Sequence, residues 1–359
     1  MISYDKPYKI HAFDAKFDAQ KIAFAPVSFQ AARCLVKFDI LKHIGSTGEE
    51  GISLDDLVSK CAISEYGVSV LVDMGLSMRL IWVHKSKYVL DKTGYFLVHD
   101  NMAKRNPNFI HDVCYLGLFD LDKSIETGDP VGLQVFGDWP TIYQGLKDLP
   151  SDAKKSWFEF DHFYSDQAFP AVLPLIFAHK PTHILDVGGN TGKWALKCIE
   201  YQPDIRVTVM DLPGQLAVLA ENARRAGAEN QINGFEVNLL DEEAGFFDGA
   251  DTIWMSQFLD CFGENEILSI LKRTASVMKK NTRLFILETF WDRQPHEAGA
   301  YCVNATSLYF TAMANGNSRM YHSKDMQKLI RAAGLYVEED IDELGLGHTL
   351  FQCRLKPDE

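Results

Sequence analysis

The sequence predicts an α/β protein: a doubly wound, Rossmann-like seven-stranded sheet preceded by an α-helical winged-helix domain. Three observations carry this. From residue 181 onward, short apolar runs alternate with helical patterns, as a mostly parallel sheet requires. The first of those runs ends in a cluster of glycines that opens a helix. The first hundred residues show apolar positions at helical spacing, followed by two short strand-like runs.

In chain order, the helical spacing predicts one helix over Val27 to Ile44, stopping near Gly45. Ser53 is placed to cap a second, Leu54 to Cys61. A third runs from Glu65 to Leu80, with Val68, Leu71, Val72 and Leu76 on one face. The runs after Leu80 and Lys87, with Thr93-Gly94 as a turn, predict a small β-wing. A DNA-reading winged helix would offer Arg, Lys, Asn or Gln to base edges. Here the corresponding helix is apolar and acidic, so contact with another protein, most simply a second copy of the chain, is expected instead. Residues 106–180 read as an aromatic-rich helical connector between a domain at 1–105 and one at 181–359. Its rings serve chiefly as core, and a few are expected to line an apolar pocket for a flat small molecule. The seven strands are expected at 183–187, 205–210, 233–238, 251–256, 283–288, about 335–341 and 349–355. Helices fall near 192–202, 214–226, 264–279 and 323–334, with inserted structure over 296–322.

Composition narrows the class. The 359 residues are 47% hydrophobic, enough for two cores, and the formal net charge is −13. That acidic balance disfavours bulk binding to nucleic acid or to anionic membranes. No apolar run approaches the length of a membrane span, and the first residues show no signal-peptide pattern. The seven cysteines are scattered singly, which reads as reduced residues of a cytoplasmic protein. The 11 histidines show no metal-ligand spacing, so no metal is expected.

The stretch His183-Ile-Leu-Asp-Val-Gly-Gly-Asn-Thr-Gly-Lys193 carries the chemistry. Gly188, Gly189 and Gly192 let the backbone approach a ligand closely. A second acid, Asp211, ends the next strand at about the distance of a carboxylate that binds ribose hydroxyls. A dinucleotide fingerprint would place pyrophosphate at this turn. Asp186 at the strand end would repel pyrophosphate, but it suits a ligand with a cationic amino-acid tail. S-adenosylmethionine has that tail and a ribose. Ligands in such sheets lie beyond the carboxyl ends of the strands, where Asp186, Asp211, Asn238, Ser256, Gln257 and Glu288 would converge.

These residues resemble the class I methyltransferases that use S-adenosylmethionine, in the small-molecule O-methyltransferase branch of plant caffeate and flavonoid enzymes and bacterial polyketide-tailoring enzymes. The resemblance covers nearly the whole chain. Asp186-Val-Gly-Gly-Asn-Thr-Gly192 is similar to the family's D-x-G-G-G-x-G, with Asn190 at the third glycine. Met210-Asp211-Leu212-Pro213 matches its D-L-P. Trp254 to Phe262 and Leu284 to Glu288 match its fourth and fifth strand ends. The resemblance implies S-adenosylmethionine held by Asp186, Gly188, Gly189, Gly192, Asp211, Leu212, Asn238, Leu239, Leu240, Ser256 and Gln257. It also implies a homodimer formed through the first domain and an aromatic or polyketide-like acceptor.

The departures from the family fall on the chemistry. The family base is a histidine where this chain has Asp260, and the following Asp-Trp becomes Cys261-Phe262. The acid that helps hold adenine aligns with Leu239, so Asn238, Asp241 or apolar contacts must serve. A fourth-strand lysine aligns with Ser256, and a later glutamate aligns with Met320. Aspartate is a weak base at its ordinary pKa of about 3.9, but burial or a second carboxylate raises it. Asp260 is therefore expected to be the base or acceptor orienter, with Glu288 as its partner. Simpler readings compete: Asp260 as the cap of the helix at Glu264, and Glu288 as an ion-pair partner of Arg293. His162, in an aromatic segment, is a further candidate base, as are His296 and His322 beside the inserted segment. The loss of histidine also leaves open methylation at carbon, a cofactor-assisted reaction without methyl transfer, and a catalytically silent cofactor-binding protein.

Overall fold

The computed structural model describes residue 4 and residues 6–357. Contacts divide them into two compact units, Tyr4–Ile110 and the chain from His111 onward.

In the first unit, the helices Ala25–Lys37, Ile40–Gly45, Leu54–Lys60 and Glu65–Ser77 enclose a core of Leu35, Ile40, Leu41, Ile44, Leu57, Val68 and Val72. Ser53 caps its helix as expected, its hydroxyl accepting from the Asp56 amide at 3.2 Å, and Ser64 caps the next by accepting from Gly67 at 3.2 Å. The helix expected over Val27 to Ile44 is two helices. Asp39 takes a left-handed φ of 57° between them, so both pieces can turn apolar faces inward. The helix expected to reach Leu80 stops at Ser77, because Arg79 is also left-handed, with φ 57°. The wing is an antiparallel pair, β1 (Ile81–His84) and β2 (Lys87–Leu90). Its turn is Lys85-Ser86, with φ 47° and 61°, rather than Thr93-Gly94. Those last two residues lie in the helix Lys92–His99, capped by Asp91. Gly94 is needed for close approach, since a Cβ there would run into the Leu80 carbonyl.

The second unit holds β3 (His183–Val187), β4 (Arg206–Asp211), β5 (Ile232–Glu236), β6 (Thr252–Ser256), β7 (Arg283–Glu288), β8 (Leu335–Leu344) and β9 (His348–Leu355) in one sheet. Their order is β5-β4-β3-β6-β7-β9-β8. β3 through β7 run parallel, and β9 lies antiparallel to both β7 and β8. Both faces are covered. Leu185, Val187, Ile253, Met255 and Ile286 point into one core, and Ile184, Val207, Val209, Trp254 and Phe285 into the other. This explains why the five inner strands read as continuous apolar runs, while the edge strands β5 and β8 are largely exposed. The long helix Ser151–Phe177 packs Phe169, Val172, Leu173 and Ile176 into the second core. The strand order reverses between β3 and β6, which opens a crevice at their carboxyl ends. β5 ends at Glu236, so Asn238 stands in the following loop rather than on the strand.

Candidate active site

At the end of β3, Asp186 is only 2% exposed, and one carboxylate oxygen, Oδ2, has no hydrogen-bond partner. Burial, and then the nearby Asp211, push its pKa up to about 8. A lone buried carboxylate is costly unless a cation or donor meets it. The glycine turn supplies the room. A Cβ on Gly189 would collide with that same Oδ2, and Gly188 takes φ +73° beneath the Phe258 ring. Asn190 also sits in the left-handed region, with φ 52°. Asparagine tolerates that region better than most residues, so it keeps the backbone shape of the glycine it replaces. Its amide then donates to Asp211 Oδ2 at 2.8 Å, while the Leu212 amide donates to Oδ1 at 2.7 Å. Asp211 is thus fixed in orientation by two backbone donors. Burial outweighs them and raises its pKa to about 6.

The neighbouring strand ends build a second cluster. Glu288 closes β7 and is 1% exposed. Its Oε1 accepts from the amides of Phe258 at 3.0 Å and Leu259 at 2.8 Å, while Oε2 is buried without a partner. Burial, reinforced by Asp260, holds its pKa well above the carboxylate range. Glu288 therefore shapes the short turn Leu259–Cys261 that presents Asp260. It does not pair with Arg293, which instead bonds Asp340 at 3.0 Å and Asp342 at 2.9 Å. Nor does Asp260 cap the next helix. Gly263 stands at that N-cap, its amide donating to Glu266 at 2.7 Å. Asp260 is buried, its pKa pushed up to about 6, and the Cys261 thiol lies 3.4 Å from it.

The other expected residues scatter around these two clusters. Ser256 ends β6 and Gln257 follows it, and each has a buried side-chain oxygen without a partner. Gln257 turns at φ 46° while its amide bonds the Leu287 carbonyl at 2.9 Å. Leu239 is buried, whereas Asn238 and Leu240 are exposed. Arg273 pins this loop by donating to the carbonyls of Leu239 at 2.6 Å and Asp241 at 3.0 Å. His162 lies on the helix Ser151–Phe177, stacked on Phe158 with ring centres 5.7 Å apart. Burial, then the positive charge of Lys193, lower its pKa to about 4, so it is a neutral and weak base. His322 caps a helix, its Nδ1 accepting from the Lys324 amide at 3.0 Å, and His296 precedes the helix Glu297–Tyr309.

Sequence reasoning counted Tyr143 only among the rings of the connector and missed Tyr309. The Trp157 indole donates to the Tyr309 hydroxyl at 2.7 Å, joining the long helix to the inserted one. Tyr143 lies beside Cys261 and Asp260.

Comparison with known proteins locates two families along the chain. An O-methyltransferase domain matches residues 171–336, and a dimerisation2-like domain matches residues 16–88. The chain is 20% identical over 280 residues to a bacteriochlorophyllide d C-20 methyltransferase of Chlorobaculum tepidum, covering 74% of this chain and 76% of that protein. Among solved structures, it resembles the mitomycin 7-O-methyltransferase MmcR, with TM-score 0.72, 16% identity, and 96% and 98% of the two chains covered. It also resembles an O-methyltransferase of neocarzinostatin biosynthesis, solved with S-adenosylmethionine and 2-hydroxy-5-methyl naphthoic acid. There the TM-score is 0.67 and the identity 16%, with 91% and 96% of the chains covered. At these identities the two structures speak for the fold alone.

Proposed function

We infer, for a chain that belongs to the S-adenosylmethionine-dependent O-methyltransferases with a dimerisation domain ahead of the catalytic one, an enzyme that methylates an oxygen of an aromatic or polyketide-like small molecule. The observation that carries the cofactor assignment is the buried, unpartnered Oδ2 of Asp186 facing the glycine turn. A cationic ammonium group is the ligand chemistry that such an oxygen lacks. Asp211, already oriented by two amides, suits ribose hydroxyls, and the Leu239 side chain offers an apolar contact for a purine ring. When bound, the sulfonium of S-adenosylmethionine supplies an electrophilic methyl group.

The chain's own residues must orient the acceptor, exclude water and take a proton. Asp260 is the base we assign. Its raised pKa brings it nearer the working range of a general base than an exposed aspartate would be. Glu288 holds the Asp260 turn through backbone amides. The hydroxyls of Tyr143 and Tyr309 and the ring of Trp157 border the same region. His162 is too weak a base to take the part.

A second reading, methylation at carbon, has specific support. The family histidine is absent, a nucleophilic carbon needs less help from a strong base, and the Chlorobaculum relative is named for methylation at carbon. The first domain, for its part, exposes Phe13, Phe17 and Ile22 on the helix Ala12–Ala23 and Phe24 just after it, a surface suited to a second copy of the chain. No helix among the described residues is long and apolar enough to cross a membrane.

Calorimetric titration of S-adenosylmethionine into wild type and Asp211→Ala tests the cofactor reading. Tight binding lost in the variant supports it, and absence of binding to wild type overturns it. Phenolic and carbon-nucleophile acceptors are then separated by S-adenosylhomocysteine release and by the position of the new methyl group.

A further inference from the structure

Glu288 holds only the amide edge of the Asp260 turn, through Phe258 and Leu259. The carbonyl edge is held from elsewhere. Nδ2 of Asn315 donates to the Cys261 carbonyl, and the Tyr321 hydroxyl donates to the Phe262 carbonyl at 2.6 Å. Both residues stand at the end of the inserted segment, 54 and 59 positions along the chain from their partners. Asp260 thus lies between two amides gripped by a carboxylate and two carbonyls gripped by a carboxamide and a phenol.

The local fold fixes Asn315. Its own amide and that of Gly316 both donate to the Phe310 carbonyl at 3.1 Å, closing the turn Phe310–Ala314. Gly316 takes φ +86°, and a Cβ there would run into the Gly128 carbonyl, so the loop is wedged against a neighbouring turn. Oδ1 of Asn315 accepts from the Ser318 hydroxyl at 2.8 Å and from the Ser318 amide at 3.2 Å. The side chain therefore uses its acceptor inside its own loop and its donor on the Asp260 turn, a division that needs both functions in one group. Tyr321 is buried, where an unmet hydroxyl would be costly. Other ties from this loop reach the following helix instead. Arg319 pairs with Glu264 at 3.3 Å and Asn317 bonds Glu266 at 3.4 Å, both at the surface, where such contacts contribute little.

We propose that Asn315 and Tyr321 are positioning residues, a two-point clamp on the Cys261 and Phe262 carbonyls that sets where the Asp260 carboxyl stands when the acceptor gives up its proton. This rests on the reading of Asp260 as the base. The turn Leu259–Cys261 is one short piece of backbone, so the peptide groups on either side of Asp260 decide the direction of its side chain. Cys261 links the clamp to the carboxyl: its carbonyl is the atom that Asn315 grips, and its thiol lies 3.4 Å from Asp260 Oδ1. Misplacing a reacting group by about 1 Å costs on the order of 100-fold in rate.

The test compares Asn315→Leu, Tyr321→Phe and Ser318→Ala in the full chain by two readouts. The first needs no acceptor: site-resolved labelling of Cys261 by iodoacetamide, with the buried Cys114, Cys198 and Cys353 as internal controls. The clamp predicts that Asn315→Leu and Tyr321→Phe speed labelling of Cys261 by about tenfold, the scale of one lost hydrogen bond, while the controls keep their wild-type rates. Ser318→Ala loosens only the loop's own bond to Oδ1 and should stay near wild type. Equal acceleration in Ser318→Ala, equal acceleration of the controls, or unchanged Cys261 labelling overturns the clamp. If Asn315→Leu does not fold, Tyr321→Phe carries the test, since it removes a single oxygen. The second readout is S-adenosylhomocysteine release. In both clamp variants kcat should fall by about 10- to 100-fold with KM for S-adenosylmethionine unchanged, and that loss should vanish in an Asp260→Asn background. A loss that persists there in full sinks the clamp alone. Normal turnover by Asp260→Asn itself sinks the base reading, and no turnover with any acceptor sinks the enzyme reading; either takes the positioning role with it.

Discussion

The two ends of the site, built on the same sheet, obey different rules. At the β3–β4 end, the ligand-facing groups are carried by one short segment and the strand beside it. Asp186, Gly188, Gly189 and Asn190 are neighbours in sequence, and Asp211 is joined to Asn190 by a 2.8 Å hydrogen bond. At the β6–β7 end, the groups around Asp260 come from five separate places: the turn itself, Glu288, Tyr143, Tyr309 and the long helix. A site made of one strand–turn–helix can be read as a pattern and tolerates little change. A site assembled from distant elements can exchange a histidine for carboxylates, because its environment is set by whatever packs around it.

The largest effect expected from breaking this contrast is at the acceptor end. Asp260→Asn keeps the shape but removes the proton acceptor, so turnover with an acceptor found by S-adenosylhomocysteine release should fall by about 10² to 10⁴. Cofactor affinity should change little in that variant. An unchanged rate would show that positioning alone suffices and would favour methylation at carbon.

Next in size, Asp211→Ala at the cofactor end should weaken S-adenosylmethionine binding by roughly 100-fold, the scale of losing a charged hydrogen-bonding group. The amides of Asn190 and Leu212 would lose their partner as well. Retained affinity would move the ribose contact elsewhere.

The contrast sharpens with pH. Asp186 is protonated below about 8 in the free protein, and a cationic ammonium favours its ionised form. Binding should therefore release protons and strengthen with rising pH up to about 8, by at most tenfold per unit. Titrations in buffers of different ionisation heat read the released protons directly, and a heat independent of buffer would count against the assignment.

The smallest expected effect separates backbone from side chain. Asn190→Gly should leave stability and affinity within a few fold, because glycine adopts the same left-handed φ of 52°. Asn190→Ala should lose about 1–2 kcal/mol of stability, the cost of that conformation for a residue with a plain Cβ. Thermal unfolding of both variants decides whether Asn190 stands there for its backbone.

Much of this was legible before any coordinates. The seven expected strands all belong to the sheet: the five inner ones are buried on both faces and so read as apolar throughout, whereas the edge strands β5 and β8 are largely exposed. The antiparallel course of β9 was not legible, because pairing direction depends on partners far along the chain. The wing turn was missed because Lys85-Ser86 lacks the usual glycine or asparagine, while Gly94 looked like a turn and serves helix packing instead. Sequence alignment pointed to Asp260 and Glu288, but it left open whether Glu288 faced Arg293 or the Asp260 turn.

By itself, the sequence determined the sheet, the glycine turn and the two acids that end β3 and β4. Those features arise from local periodicity and from residues whose backbone freedom or charge acts where they stand. Only the tertiary structure decided that Glu288 holds the Asp260 turn while Arg293 pairs elsewhere, and that burial makes His162 a weak base. Proton affinity depends on burial and on neighbouring charge, and both are properties of elements brought together by folding rather than of any one stretch of chain.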